Sequence, residues 1–225
     1  MTERVSFESR RGDQAQGVTS TPAGSGDAPA VVIIHEWWGI NDQIKTVAER
    51  WADEGFVATV VDVFRGQTAK DATEAGKLMQ GLDWARAIDD IAGAVAYAGI
   101  HPRSTGKVGV TGYCMGGALT FAAAALVDNI AAAVPFYGVP APAPDWSKVT
   151  APIEAHFAAK DGWAKPELAQ EIQRTLDKLG KSMVLHVYDA DHAFCNDRRP
   201  EVYNAGAAKL AWQRAVAFMR THLAS

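Results

Sequence analysis

Cysteine is scarce in this chain. There are two in 225 residues, Cys114 and Cys195, too few for a disulfide framework. No secretory signal is evident: Met1-Thr2-Glu3-Arg4 leads into Val5-Ser6-Phe7-Glu8-Ser9, an alternating strand pattern and not an apolar signal core. No apolar run reaches membrane-spanning length, so no membrane association is expected. Together these absences point to a reducing cytoplasm, where Cys114 stays available as a free thiol. An excess of either charge is also lacking. The balance of 22 basic and 26 acidic residues gives a net charge of -4 without a Lys/Arg-rich run, which disfavours a nucleic-acid partner. No His-Glu-x-x-His or Cys-x-x-Cys spacing marks a metal site, and no Gly-x-Gly-x-x-Gly turn cradles a phosphate. Neither a metal nor a cofactor is expected. Nothing reads as a dimer seam, so the expectation is a monomer.

What the chain has instead is the composition of a globular protein, 48% apolar and 21% charged. Its length suits one domain over residues 1–225, large enough to bury a core without disulfides. The organising stretch is Lys107 to Ala118. A β-branched run, Val108 to Thr111, meets Gly112-Tyr113-Cys114-Met115-Gly116, and an alanine-rich helical segment follows. This strand–tight turn–helix pattern is a nucleophile elbow, Gly-x-nucleophile-x-Gly, with cysteine in the central place. Glycines flank the centre because the turn crowds the backbone against its neighbours. The elbow sets Cys114 at a helix N-terminus, whose unpaired N–H groups favour a thiolate.

Around the elbow the chain alternates strands and helices. Residues 4–9 and 14–20 read as a hairpin about Arg11-Gly12-Asp13. Val31 to Ile34, Phe56 to Val63, Ala131 to Tyr137, Ile153 to Ala158 and Met183 to Tyr188 read as buried strands. Helices are expected at Asp42 to Glu54 behind an Asn41 cap, and at Thr68 to Gln80 and Asp83 to Ala98. Others should run from Pro166 to Leu179 and from Val202 to Thr221. Gly99 to Gly106 reads as a turn-rich connector and Gly138 to Pro144, with three prolines, as irregular. The fold class is α/β, a mostly parallel sheet with helices on both faces and an N-terminal hairpin.

Chemistry in such sheets gathers at the carboxyl ends of strands. Three residues there have complementary chemistry, in the order Cys114, Asp161, His192. Nucleophile, acid, histidine is the chain order of α/β-hydrolases. Histidine takes the thiol proton, aspartate holds the imidazole tautomer, and cysteine forms the acyl-enzyme. Asp189 and Asp191 are rivals for the acid but sit too close to His192 in sequence to reach its ring comfortably. His35 ends a strand and is a weaker rival for the base, while Cys195 has no elbow and reads as a structural thiol.

Gly-Tyr-Cys-Met-Gly-Gly at 112–117, Glu36-Trp37 with Gly39, Phe136-Tyr137-Gly138, Asp161 and Asp191-His192-Ala193-Phe194 together resemble the dienelactone hydrolase family of α/β-hydrolases. The resemblance spans nearly the whole chain. It implies an α/β-hydrolase fold, a Cys114–His192–Asp161 triad, and an oxyanion hole from the backbone N–H groups of Met115 and Trp37. It also implies that Glu36 meets the cysteine thiol and helps form the thiolate when substrate binds. Members of the family bind an anionic lactone through arginines. Here the loop after Asp62 offers only Arg65, and the fourth residue after His192 is Asn196, which leaves Arg198 as the candidate anchor.

Trp37, Trp38, Trp163 and Phe194 are expected to give the pocket aromatic walls, and Tyr137 a hydroxyl. The reading is a hydrolase of a lactone or small carboxylic ester that acts through an acyl-cysteine. The alternatives are a general or promiscuous esterase, thioesterase or phosphotriesterase of the same fold, or a non-catalytic binding protein.

Overall fold

The computed structural model describes residues 2–224. Eight strands form one sheet in the order β1-β2-β4-β3-β5-β6-β7-β8. They are β1 (Glu3–Glu8), β2 (Gln14–Ser20), β3 (Ala28–Ile34), β4 (Val57–Val61), β5 (Ser104–Tyr113), β6 (Ile130–Phe136), β7 (Ile153–Ala158) and β8 (Met183–Tyr188). The pairs β1–β2 and β2–β4 are antiparallel, and every other neighbouring pair is parallel. The hairpin therefore extends one edge of a parallel sheet, as the alternation of polar and apolar residues at 3–9 suggests.

Six helices cover the sheet: α1 (Asp42–Asp53), α2 (Ala72–Gln80), α3 (Trp84–Ile100), α4 (Met115–Leu126), α5 (Pro166–Lys178) and α6 (Ala205–Leu223). The period of two along β3 explains the two layers. Val31 and Ile33 pack with Ile44, Val47 and Trp51 of α1 and with Ala215 and Met219 of α6. Ala30, Val32 and Ile34 face the other way, onto Ile88 and Ile91 of α3 and Met115 and Leu119 of α4. All five of these β3 residues are fully buried, which is why the run carries no polar residue.

Local chemistry moves several boundaries. The helix expected from Thr68 starts at Ala72, because the Asp71 side chain accepts the Glu74 N–H and caps it there. The residues before it are tied elsewhere, with the Ala69 N–H bonded to the Trp38 carbonyl. Likewise the last helix starts at Ala205 and not Val202, since Asn204 accepts the Ala207 N–H. The expected connector at 99–106 is mostly regular structure: α3 runs on to Ile100 and β5 begins at Ser104. Strand β6 stops at Phe136, and Tyr137 turns to a positive φ of 33°.

The sheet's centre is set by backbone contact. β5 pairs with β3 and β6, and α4 leaves its end at once. A Cβ on Gly116 would collide with the carbonyl oxygens of Ile34 and His35, and one on Gly117 with that of Phe136. Gly116→Ala is accordingly expected to destabilise the protein by at least ~3 kcal/mol, seen as a lowered denaturant midpoint. An unchanged midpoint would contradict this packing.

Candidate active site

Cys114 sits in the turn between β5 and α4 at φ 57° and ψ -118°, a strained conformation for a residue with a side chain. Its N–H is held by the Phe136 carbonyl at 3.1 Å. The side chain is buried and lines a cavity of about 250 Å³ together with Glu36, Trp37, Met79, Trp163, His192, Ala193 and Arg199. Two larger depressions elsewhere on the surface, of about 660 and 650 Å³, contain none of Cys114, Asp161 and His192.

Each polar member arrives from the carboxyl end of a parallel strand. Asp161 follows β7, and its carboxylate is shut off from solvent. Its Oδ1 accepts the N–H groups of Trp163 and Ala164, at 2.8 and 2.9 Å. Its Oδ2 lies 2.6 Å from Nδ1 of His192, which follows β8. With Nδ1–H donating to the carboxylate, Nε2 is the basic nitrogen of the ring. Burial alone raises the Asp161 pKa, but the His192 bond and charge and the two backbone donors outweigh it and hold the carboxyl below its ordinary range. The rivals for the acid lie outside this arrangement: Asp189 pairs with Lys160 at 2.9 Å, and Asp191 is exposed.

The backbone N–H groups of Trp37 and Met115 both bear on the Cys114 sulfur and favour its thiolate. They do not prevail. Burial, then the Glu36 carboxylate, push the thiol far above its ordinary value. The pull of the helix N-terminus toward a thiolate is thus outweighed by removal from water and by the neighbouring carboxylate.

Glu36 is almost wholly buried, at 5% exposure. Asn196 Nδ2 donates to its Oε2 at 2.8 Å, and the Tyr137 hydroxyl reaches Oε1 at 3.4 Å. Burial raises the Glu36 pKa, opposed chiefly by the Asn196 bond and the charge of His192. Asn196 is itself fixed, because its Oδ1 accepts the Arg198 N–H at 3.1 Å. His35 supports Glu36 from behind: the ring is fully buried and Nδ1 meets the Glu36 carbonyl at 2.6 Å. That contact makes it a backbone anchor and removes it as a rival base.

The walls differ from the sequence reading. Trp37 and Trp163 line the cavity as expected, and Trp163 sets its ring perpendicular to that of His192 at 5.2 Å. Trp38 does not line it but packs edge-on against Trp37. Tyr137 and Phe194 are buried behind the catalytic candidates, with Tyr137 edge-on to both His192 and Phe194. Arg198 is corrected: its side chain is 67% exposed, while Arg199 lines the cavity. The bond from the Arg198 N–H to Asn196 makes a tight turn there, and one further residue brings a side chain back inward. Arg65 is removed as well, since it forks onto Asp90 and reaches Asp13 at 2.9 Å.

Sequence reasoning missed Met79, Arg199 and the partnership of Asn196 with Glu36. Met79 comes from α2, where nothing distinguishes it from a core methionine. Cys195, the expected structural thiol, is bonded with the Tyr137 hydroxyl and is likewise pushed up by burial. Among the described residues, no group of three His, Cys, Asp or Glu side chains is arranged to hold a metal ion. None of the described helices is long and apolar enough to cross a membrane.

Comparison with known proteins gives the family. Residues 15–223 match the model of the dienelactone hydrolase family. The chain is 36% identical to Protein usf of Aquifex pyrophilus, over 99% of this chain and all of that protein. It is 32% identical to a carboxymethylenebutenolidase of Pseudomonas putida, over 97% of this chain and 96% of the relative. Among solved structures, a dienelactone hydrolase-like promiscuous phosphotriesterase from metagenomic libraries superposes with a TM-score of 0.88 at 22% identity, covering 98% of both chains. At that identity the likeness is one of fold. With a family match over almost its whole length and full-length relatives above 30% identity, the chain belongs to the dienelactone hydrolase family.

Proposed function

We propose that the protein hydrolyses lactones or small carboxylic esters through an acyl-cysteine on Cys114. The observation that carries this reading is the convergence on one small cavity of an elbow cysteine, a histidine bonded to a buried aspartate, and two backbone donors at the sulfur. The name of the Pseudomonas putida relative supports a lactone among the substrates.

In this mechanism the thiol proton leaves Cys114, and the sulfur attacks the carbonyl carbon. Glu36 keeps the thiol protonated at rest, because a second negative charge beside its carboxylate is costly. When substrate fills the cavity, the thiol proton passes to Nε2 of His192, directly or by way of Glu36, and leaves the imidazole protonated. The oxyanion formed takes hydrogen bonds from the N–H groups of Trp37 and Met115. The tetrahedral adduct collapses, the carbon–oxygen bond breaks, and protonated His192 gives its proton to the departing alkoxide. In a lactone that alcohol remains attached to the acyl chain. Water, deprotonated by His192, then attacks the thioester and restores Cys114. The two free thiols suit a reducing cytoplasm. A broader esterase, active on neutral or activated esters, is the second reading. It is favoured by the commitment of Arg65 to Asp90 and Asp13, away from the cavity.

Cys114→Ala is expected to lower kcat/KM for p-nitrophenyl acetate by about a thousandfold or more. Hydrolysis that survives this change would reject the acyl-cysteine, and a wild-type protein that hydrolyses no ester would favour a non-catalytic binding role. Glu36→Gln should lower turnover and alter its pH dependence. Identical kinetics across pH would remove Glu36 from the mechanism.

Asp161 also links the site to stability. Its folded pKa lies below the unfolded value, so its contribution is present above the ordinary aspartate pKa and is lost as pH falls through the folded one. The stability gap between wild type and Asp161→Asn should therefore narrow as pH is lowered from about 6 to about 3. Urea titrations at each pH measure it, and a constant gap would contradict the assignment.

A further inference from the structure

One wall of the cavity is built differently from the rest. Trp163 is fixed through Asp161, which accepts its N–H, and Trp37 packs edge-on with Trp38. Among the lining residues, only Met79 comes from α2. That helix is nine residues long, carries Gly76 at its middle, and has Ala75 as its only buried residue. A helix so short gains little from its own hydrogen bonds, and a central glycine weakens it further. Met79 is itself half-buried. This wall can therefore give where the others cannot.

The chemistry says which half of an ester each wall meets. His192 must reach the leaving oxygen, so Trp163, whose ring is perpendicular to the imidazole at 5.2 Å, falls to the alcohol half. The N–H groups of Trp37 and Met115 take the carbonyl oxygen. The acyl chain is left the walls that belong to neither. Of these, Ala193 is short, and Arg199 is charged and held by Glu201 at 2.8 Å. Met79 is the long apolar one. The space is also small: about 250 Å³, under the ~300–1,000 Å³ usual for small-molecule pockets.

We propose that Met79 of α2 is the residue that limits the acyl chain, so that the cavity selects substrates with short acyl groups. The inference rests on the ester-hydrolase reading but concerns the size of what enters. Methionine is unbranched and adaptable, so it closes over a short chain and fills the space left. A longer chain must displace it or stay outside.

The test uses p-nitrophenyl acetate, butyrate and hexanoate. In the wild-type protein kcat/KM should fall at least about tenfold from butyrate to hexanoate. Met79→Ala removes Cγ, Sδ and Cε and should bring the two esters to within about twofold of each other. Met79→Leu keeps the volume and should keep the wild-type order, whereas Met79→Trp should move the fall to between acetate and butyrate. A second series is lengthened in the alcohol: ethyl, butyl and hexyl acetate. Its order should change by less than about twofold in Met79→Ala. Equal kcat/KM for butyrate and hexanoate in wild type would overturn the proposal, as would a ratio unmoved by Met79→Ala. A larger response in the alcohol series would overturn it too and set Met79 beside the leaving group. If wild type cleaves no ester faster than Cys114→Ala, the hydrolase reading fails. Calorimetric binding of the butyrate and hexanoate esters to Cys114→Ala then decides the proposal. Adding Met79→Ala should tighten binding of the hexanoate at least about fivefold relative to the butyrate, and an unchanged ratio would overturn it.

Discussion

The structure turns on the direct contact of three backbones at the end of β5. The chain must leave the central strand, place Cys114, and begin α4 within a single residue. It can do so because Gly116 lies against the carbonyls after β3, and Gly117 and Gly138 against the backbone after β6 and at the elbow. Side chains at these places would push the strands apart. The same contacts bring the loop with Glu36 and Trp37 and the turn with Tyr137 beside the sulfur. Closeness of main chain here is the condition for closeness of chemistry.

The second theme is the treatment of charge in a dry place. Cys114, Glu36 and Asp161 are all withdrawn from water, and their environments separate them. Asp161 has three hydrogen-bond donors and stays ionised easily. Glu36 has two neutral donors, one of them long, and is drawn toward its acid form. Cys114 has two backbone N–H groups but faces a neighbouring carboxylate, so its proton is the hardest of the three to remove. This ordering suits a nucleophile that stays quiet until substrate arrives.

Much of this was legible in the sequence, for local reasons. Val31 to Ile34 could be read as a doubly covered strand because burial on both faces leaves no polar positions. Cys114 stood out because an elbow needs glycines at fixed offsets. Asp161 and His192 followed from the rule that chemistry collects beyond strand ends. The illegible parts depend on distant pairings. Asn196 and Glu36 are 160 residues apart, and neither carries a local sign of the other. The choice of Arg199 over Arg198 depends on the direction of one tight turn. The late start of α2 depends on Asp71 having the better cap geometry. A pattern of apolar residues places an element, but side-chain hydrogen bonds fix its ends.

One detail bears on how such a site changes over generations. Asp161 holds His192 with one oxygen and the backbone at Trp163 and Ala164 with the other, and the Trp163 ring stands against His192. Wall and base on that side hang from a single carboxylate. An exchange that reshapes the Trp163 loop therefore also disturbs the imidazole. Met79, which also lines the cavity, comes from α2 and belongs to none of these bonds. Divergence toward new substrates should accumulate first on the α2 side, where a lineage can alter its diet without retuning its base.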